Sequence, residues 1–238
     1  MNPGSLLSEV IRVVEAEGQR LRAEFYRPEG PRGRRGNCPA DKEIEERLRE
    51  QLTRLVPCKF AGEETDDSAA TAGGEVWLVD PHDGTSEFLS GRRGSAISVA
   101  LAREGVPVLG VVHAPDAPDL GPDTIAWAEG AGPMLRNGKP VRSSLAGRLL
   151  GAGEYVWATA SSSTRPVTHA SAALPARTIA MPSVAYRMAR VAAGDGIASI
   201  SLHPVCEYDI AAGMALIRAA GGVTLDAEAK EVVLEGNS

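Results

Sequence analysis

Residues 76–88, with the sequence VWLVDPHDGTSEF, constrain the fold of this chain more than any other stretch. The first four favour a buried β-strand, and Pro81 predicts that the strand ends there, which places Asp80 at its carboxyl end. Pro81 and Gly84 predict a tight turn that brings Asp80 and Asp83 close together. Two like charges held this near each other need a cation between them, so the turn predicts half of a metal site. The alternative is a surface turn with solvated carboxylates.

The residues after this turn predict an anion site. If a helical turn begins here, the backbone N–H groups of Gly84 and Thr85 have no partner within the helix and can point at an anion. We therefore expect a metal ion and a phosphate group to meet at one place.

Composition and charge exclude several classes of protein. The chain has 238 residues, of which 43% are apolar, and this suffices for one large or two modest domains with a core. The first residues show neither a basic cluster nor a long apolar run, so we expect no signal peptide, no membrane span and a cytoplasmic location. A net charge of −6 argues against nucleic acid as a partner. The cysteines, Cys38, Cys58 and Cys206, are odd in number and lack C-x-x-C spacing, which predicts reduced thiols and suggests neither a disulfide framework nor a zinc site.

The first part of the chain predicts two amphipathic helices, over residues 5–26 and from Asp41 to Leu55. Asp41 is predicted to be the N-cap of the second helix. Arginines in the connection between the helices indicate either a solvated loop or a basic lip over the site. The acidic run at residues 63–67 indicates a solvated loop, or a loop from which one glutamate completes a metal site.

Alternating residues predict strands after residue 88. Residues 95–101 and 106–112 predict an antiparallel hairpin, and residues 124–128 and 132–136 predict two further strands before a turn at Asn137-Gly138. From about residue 144 strands and helices alternate, which is typical of an α/β layer. The predicted strands span residues 155–160, 178–181 and 197–202, and two predicted helices span residues 166–173 and 183–193. A third helix is predicted to begin at Asp209, whose side chain is predicted to cap it.

Three acidic motifs together resemble a known family. Gly62-Glu63-Glu64, Asp80-Pro81-His82-Asp83-Gly84-Thr85 and Glu207-Tyr208-Asp209-Ile210-Ala211-Ala212-Gly213, followed by Gly221-Gly222, are similar to the signature blocks of the inositol monophosphatase superfamily of magnesium-dependent, lithium-sensitive phosphatases. The blocks stand in the order of that family. The resemblance implies a layered αβαβα sandwich. Its α+β half would span residues 1–143 and consist of two helices on an antiparallel sheet. This half would carry most of the metal ligands. Its α/β half would span residues 144–238.

The resemblance also implies a set of ligands. Glu63 and Asp80, with the main-chain carbonyl of His82, are expected to hold one magnesium ion, and Asp80, Asp83 and Asp209 a second. Two or three ions per site are expected. The resemblance implies that the protein binds a small phosphorylated molecule rather than a membrane. Whether it forms a homodimer is left open.

Other residues receive roles in catalysis and substrate binding from the same resemblance. Asp41 is expected to accept a hydrogen bond from Thr85, and this pair, with Glu63, is expected to help deprotonate the attacking water. Gly84 and Thr85 are expected to hold the phosphate. Ser183 is either a ligand contact or a helix N-cap, and Glu207 is expected to bind the substrate.

The sequence departs from the family pattern near two of these residues. His82 replaces the usual aliphatic residue, and Asn37-Cys38-Pro39-Ala40 replaces the usual approach to Asp41. Glu87 and Glu207 are more similar to the 3'(2'),5'-bisphosphate nucleotidase branch than to the inositol monophosphatases. The sequence therefore favours a nucleotidase, with an inositol or sugar phosphatase as the alternative and a non-catalytic binding protein as the third hypothesis.

Overall fold

The computed structural model describes residues 2–34, 36–65, 74–159 and 175–234. After a short 3-10 helix at Pro3–Ser5, two long helices follow, α1 (Leu7–Phe25) and α2 (Pro39–Leu55). Both pack on one face of a seven-stranded sheet through buried residues such as Val14, Leu48 and Trp77. The two predicted amphipathic helices are confirmed.

The large sheet has its strands in chain order. They are β1 (Lys59–Gly62), β2 (Glu75–Asp83), β3 (Ala96–Arg103), β4 (Val106–Ala117), β5 (Gly121–Ala128), β6 (Leu135–Arg136) and β7 (Lys139–Pro140), with the short helix α3 (Thr85–Leu89) after β2. The predicted hairpin is β3–β4. Asn137 and Gly138, with φ of 49° and 74°, form the predicted turn between β6 and β7.

Two predictions about the large sheet are wrong. The sheet is not entirely antiparallel, because β1 pairs with β2 in parallel. Strand β2 does not end at Pro81 but continues to Asp83. Its register with β3 shifts between Asp80 and Asp83, and a proline is tolerated at such an irregularity because no ladder hydrogen bond is required from its nitrogen.

The second part of the chain forms a parallel three-stranded sheet in the order β10–β8–β9. Its strands are β8 (Tyr155–Thr159), β9 (Arg177–Met181) and β10 (Ala198–Ile200), and its helices are α4 (Val184–Ala192) and α5 (Glu207–Ala219). The helix predicted at residues 166–173 lies outside the described residues.

Helices α4 and α5 fill the space between the two sheets, in a second core that contains Leu78, Val112, Trp157 and Leu216. Helix α5 lies very close to β4, since a Cβ on Gly110 would stand 2.5 Å from the carbonyl oxygen of Ala212. The described layers are therefore helix, large sheet, helix and small sheet. This confirms the predicted layered sandwich and places the ends of β1, β2 and α5 together.

Candidate metal centre

The end of β2 carries the predicted acidic turn. Asp80 is 2% exposed, and one of its carboxylate oxygens accepts a hydrogen bond from the main-chain nitrogen of His82 at 2.8 Å. Gly84 then adopts a φ of 102°, a conformation that residues with a side chain rarely adopt, and α3 begins at Thr85. The glycine therefore turns the chain directly from the strand into the helix.

Four carboxylates from three segments meet at this turn. Asp80 and Asp83 come from β2, Glu63 from the residue after β1, and Asp209 from the first turn of α5. Burial raises the pKa of Asp80 well above its ordinary value, and the charges of Asp83, Glu63 and Asp209 raise it further. The four carboxyl groups are therefore close enough to affect one another's pKa values.

The pKa values of the other carboxyl groups are raised too. Glu63 is exposed as a whole residue, yet desolvation of its carboxyl group and the charge of Asp209 raise its pKa to about 7. Desolvation and the charge of Asp83 raise the pKa of Asp209 to about 7. A cluster of carboxylates that repel one another fits a hard divalent cation, because Mg²⁺ prefers oxygen ligands and offsets their charge.

Asp83 is held in place by the second part of the chain. Its Oδ2 atom accepts hydrogen bonds from Ser183 Oγ and from the main-chain nitrogen of Ala185, both at 2.7 Å. Burial raises the pKa of Asp83, while these two hydrogen bonds and the charge of Arg187 oppose the rise. Ser183 is also the N-cap of α4, since its Oγ accepts from the nitrogen of Tyr186 at 2.9 Å. The N-cap hypothesis for Ser183 is confirmed, and its contact with a ligand stays a prediction.

Asp41 faces the same turn. The predicted hydrogen bond from Thr85 Oγ1 to Asp41 Oδ2 is present at 3.2 Å, and the carbonyl oxygen of His82, at 2.8 Å, is a second acceptor for the same hydroxyl proton. The prediction that Asp41 caps α2 is wrong. Because Pro39 occupies the first helical position, Cys38 is the N-cap, and Asp41 lies in the first turn with its side chain buried.

The side chain of His82 was not given a role by the sequence. Its Nδ1 lies 2.6 Å from Asp41 Oδ1, and its ring meets the ring of Phe88 edge-on, with centroids 4.2 Å apart. The imidazole is fully buried. Asp41 therefore lies between His82 and Thr85, with one oxygen toward each. The only available signal for this contact was the unusual histidine within the acidic motif.

Two further predicted residues stand at the start of α5. Glu207 is the first residue of that helix and is half-buried, and its role in substrate binding stays a prediction. Asp209 accepts a hydrogen bond at Oδ2 from the main-chain nitrogen of Cys206, so it reaches back over the start of its helix. The predicted capping role of Asp209 is confirmed, and the same carboxyl group belongs to the acidic cluster.

The basic lip is only partly described. Arg32 donates to Glu43 Oε1 at 3.0 Å and to Glu24 Oε1 at 3.1 Å, so its charge is engaged by two carboxylates. Arg35 lies outside the described residues. Arg32 therefore favours the solvated-loop hypothesis.

Comparisons with known proteins agree with this fold. The model of the Inositol monophosphatase family matches residues 37–238. The chain is 34% identical to the inositol-1-monophosphatase of Rhizobium meliloti over 210 residues, which are 84% of this chain and 75% of that protein. It is also 34% identical to the 3'(2'),5'-bisphosphate nucleotidase CysQ of Aggregatibacter actinomycetemcomitans, over 46% of this chain and 44% of that protein.

A solved structure shows the same fold. The structure of a Thermotoga maritima IMPase superposes with a TM-score of 0.77 at 23% identity and covers 97% of this chain and 89% of that one. The fold and the acidic site thus define a phosphoric monoester hydrolase. The chain belongs to the inositol monophosphatase family, which generally depends on Mg²⁺. Within the described residues no helix is both long and apolar enough to cross a membrane.

Proposed function

We propose that this protein hydrolyses a small phosphate monoester with the help of Mg²⁺ held by Glu63, Asp80, Asp83 and Asp209. The convergence of these four carboxyl groups, with raised pKa values, carries the proposal. The donor set fits Mg²⁺ because all side-chain ligands are oxygens, supplied by three separate segments of the chain, and the His82 carbonyl adds one from the main chain. Two or three ions per site are proposed.

The proposed chemistry needs little more than positioning and charge. Bound Mg²⁺ supplies Lewis acidity and positive charge. Thr85 is proposed to receive a proton from the attacking water and to pass its own proton toward Asp41 Oδ2, and this proposal is supported by the 3.2 Å hydrogen bond between them. The His82 side chain keeps the other oxygen of Asp41 occupied at 2.6 Å, which fixes the carboxylate in the orientation that accepts from Thr85. The amides of Gly84 and Thr85 are proposed to bind the phosphate oxygens.

The first candidate substrate is a 3'(2'),5'-bisphosphate nucleotide. It is supported by Glu87 and Glu207, and by the partial likeness to the bisphosphate nucleotidase. An inositol or sugar monophosphate is the second candidate, supported by the inositol-1-monophosphatase that matches a larger share of the chain. Both candidates present a phosphate monoester on a polar ring.

Phosphate release from a panel of substrates tests the proposal. The panel contains adenosine 3',5'-bisphosphate, inositol 1-phosphate, fructose 1,6-bisphosphate and histidinol phosphate, each with Mg²⁺ and with EDTA. We expect Mg²⁺-dependent release, fastest with the nucleotide. Release that is equal in EDTA, or no release from any of the four, would contradict the metal-dependent function. Faster release from inositol 1-phosphate would select the second candidate.

A further inference from the structure

A second group of metal-ligating side chains lies behind the acidic cluster. Cys38, Asp41 and His82 are all buried, and one ligand atom from each lies within 4.8 Å of the others. Cys38 is the N-cap of α2 and Asp41 lies in its first turn, three residues further on, so the two residues lie on the same side of the helix. His82 comes from β2. The three ligands are thus positioned by two regular elements rather than by loops.

The chemistry of this group differs from that of the acidic cluster. A thiol, an imidazole and a carboxylate are the ligands that Zn²⁺ takes in proteins, whereas Mg²⁺ takes oxygen atoms. Sequence spacing gave no indication of such a site, because His82 is 41 residues from Asp41 along the chain. The fold brings Cys38 and His82 together.

The metal-free arrangement leaves one polar atom of the group unsatisfied. Among the described residues, His82 Nε2 is buried without a hydrogen-bond partner. Such buried ring nitrogens are rarely left unpaired in folded proteins. Burial and the charge of Asp41 raise the pKa of the Cys38 thiol to about 12, so this thiol is protonated at neutral pH.

We propose that Cys38, Asp41 and His82 form an inhibitory site for a zinc-type transition-metal ion. The ion binds the Cys38 sulfur, one ring nitrogen of His82 and an oxygen of Asp41. The thiol proton is released to solvent, and the neutral imidazole keeps its single proton on the other nitrogen. Zinc bonds of about 2.0–2.3 Å require the three ligand atoms, which lie within 4.8 Å of one another, to move closer together. A water molecule completes four-coordination.

A metal ion at this site removes the hydrogen-bond acceptor of the Thr85 hydroxyl group. Asp41 is shared between the group and the hydrogen bond from Thr85, so a carboxylate drawn to the ion no longer accepts a proton from the hydroxyl group. Inhibition therefore rests on the proposed function, whereas binding does not. Because the site excludes Mg²⁺ by its ligand chemistry, excess Mg²⁺ does not relieve this inhibition.

Cobalt(II) absorption tests binding without any measurement of activity. Co²⁺ is added to the reduced protein in the presence of excess Mg²⁺, and thiolate coordination is detected as sulfur-to-cobalt charge-transfer absorption in the near ultraviolet. We expect the band in the wild type and in the control variant Cys58→Ser, and its loss in Cys38→Ser. Serine is a good N-cap, so Cys38→Ser retains the start of α2. Absence of the band in the wild type, or its persistence in Cys38→Ser, overturns the proposal.

Zinc inhibition tests the consequence. With excess Mg²⁺, Cys38→Ser is expected to keep the basal rate and to need at least about 10–100-fold more Zn²⁺ for half inhibition, because loss of even an outer-shell partner of a metal ligand typically costs that much affinity. Equal inhibition of both proteins would show that zinc acts at the acidic cluster and overturns the inhibitory role. If no substrate is hydrolysed but the cobalt band depends on Cys38, the proposed function fails while the metal site stands.

Discussion

Ser183 donates a hydrogen bond to Asp83 at 2.7 Å and thereby joins the end of β2 to the first turn of α4. The two residues are 100 positions apart in the chain. One hydroxyl group has two functions, because it also accepts from the nitrogen of Tyr186 and caps α4. A proposed metal ligand of the large sheet is thus oriented by the helical layer behind it.

Substitution of Ser183 separates these two functions. Ser183→Ala removes the cap and the hydrogen bond to Asp83, and we expect a loss of about 0.5–2 kcal/mol in the free energy of unfolding together with weaker Mg²⁺ activation. Ser183→Gly is the matched variant, because glycine costs only a few tenths of a kcal/mol at an N-cap. Both variants should need more Mg²⁺ for half-maximal rate. Unchanged Mg²⁺ activation in both would show that Asp83 does not depend on Ser183.

Thr85→Ala tests the proton path toward Asp41. The substitution retains the backbone amides but removes the hydroxyl group that lies 3.2 Å from Asp41 Oδ2. Loss of acid–base assistance typically costs about 10²–10⁴-fold in rate, so we expect kcat to fall by that order with little change in KM. Steady-state kinetics at saturating Mg²⁺ measure both constants. An unchanged kcat with a raised KM would identify the hydroxyl group as a binding group.

The acidic cluster predicts how magnesium binding depends on pH. Glu63 and Asp209 have pKa values of about 7 in the folded protein and ordinary values of 4.5 and 3.8. Between these ordinary pKa values and pH 7, the folded protein without Mg²⁺ binds more protons than the unfolded chain. The contribution of Glu63 and Asp209 to stability therefore falls as the pH rises toward 7. Mg²⁺ binds the deprotonated carboxylates, and the rise in Tm that it causes should therefore be larger at about pH 8 than at about pH 5.

Comparing the Tm with and without Mg²⁺ at each pH removes the contribution of titratable groups that do not bind the metal. Burial lowers the pKa of His113 to about 4, so His113 contributes stability that increases with pH over the same interval. His113 packs against Gly18 of α1 and contributes equally in both samples. A magnesium-induced change in Tm that is the same at both pH values would count against metal binding at the cluster.

Lithium is expected to inhibit uncompetitively at a fixed concentration of Mg²⁺. The proposed second position is formed by Asp80, Asp83 and Asp209 from separate segments, and it is completed only when the phosphate supplies further oxygens. A small monovalent cation can take that place after the ester is cleaved. Initial rates over a lithium series should give parallel double-reciprocal lines, and a lack of inhibition at high lithium would reject the late-binding position.

The sequence predicted the elements better than the contacts between them. The two long helices and the β3–β4 hairpin follow from periodicity, and the Asn137-Gly138 turn follows from its residue types. Strand β1 was not predicted, because its four residues are too few to show alternation before the acidic run.

The acidic motifs and the resemblance they carry identified the residues of the candidate site, but not how those residues are held. The predicted N-cap of α2, Asp41, was wrong by three residues, because the helix begins at Pro39 and Cys38 is its N-cap. The contacts of Asp83 with Ser183 and of Asp41 with His82 depend on the packing of layers, which local sequence does not record. These long-range contacts had to be read from the structure.

Mg²⁺-dependent phosphate release by Asp80→Asn tests the central claim most directly. Asp80 is the most buried residue of the cluster and is assigned to both metal positions. Its substitution therefore removes a negative charge that holds the metal ions, which lower the activation barrier for hydrolysis. Because asparagine also removes repulsion from Asp83, Glu63 and Asp209, the metal-free variant should unfold at the wild-type temperature or above. We predict a folded protein whose rate falls by at least about 10³-fold, and a rate within about tenfold of the wild type at the same Mg²⁺ concentration would contradict the account.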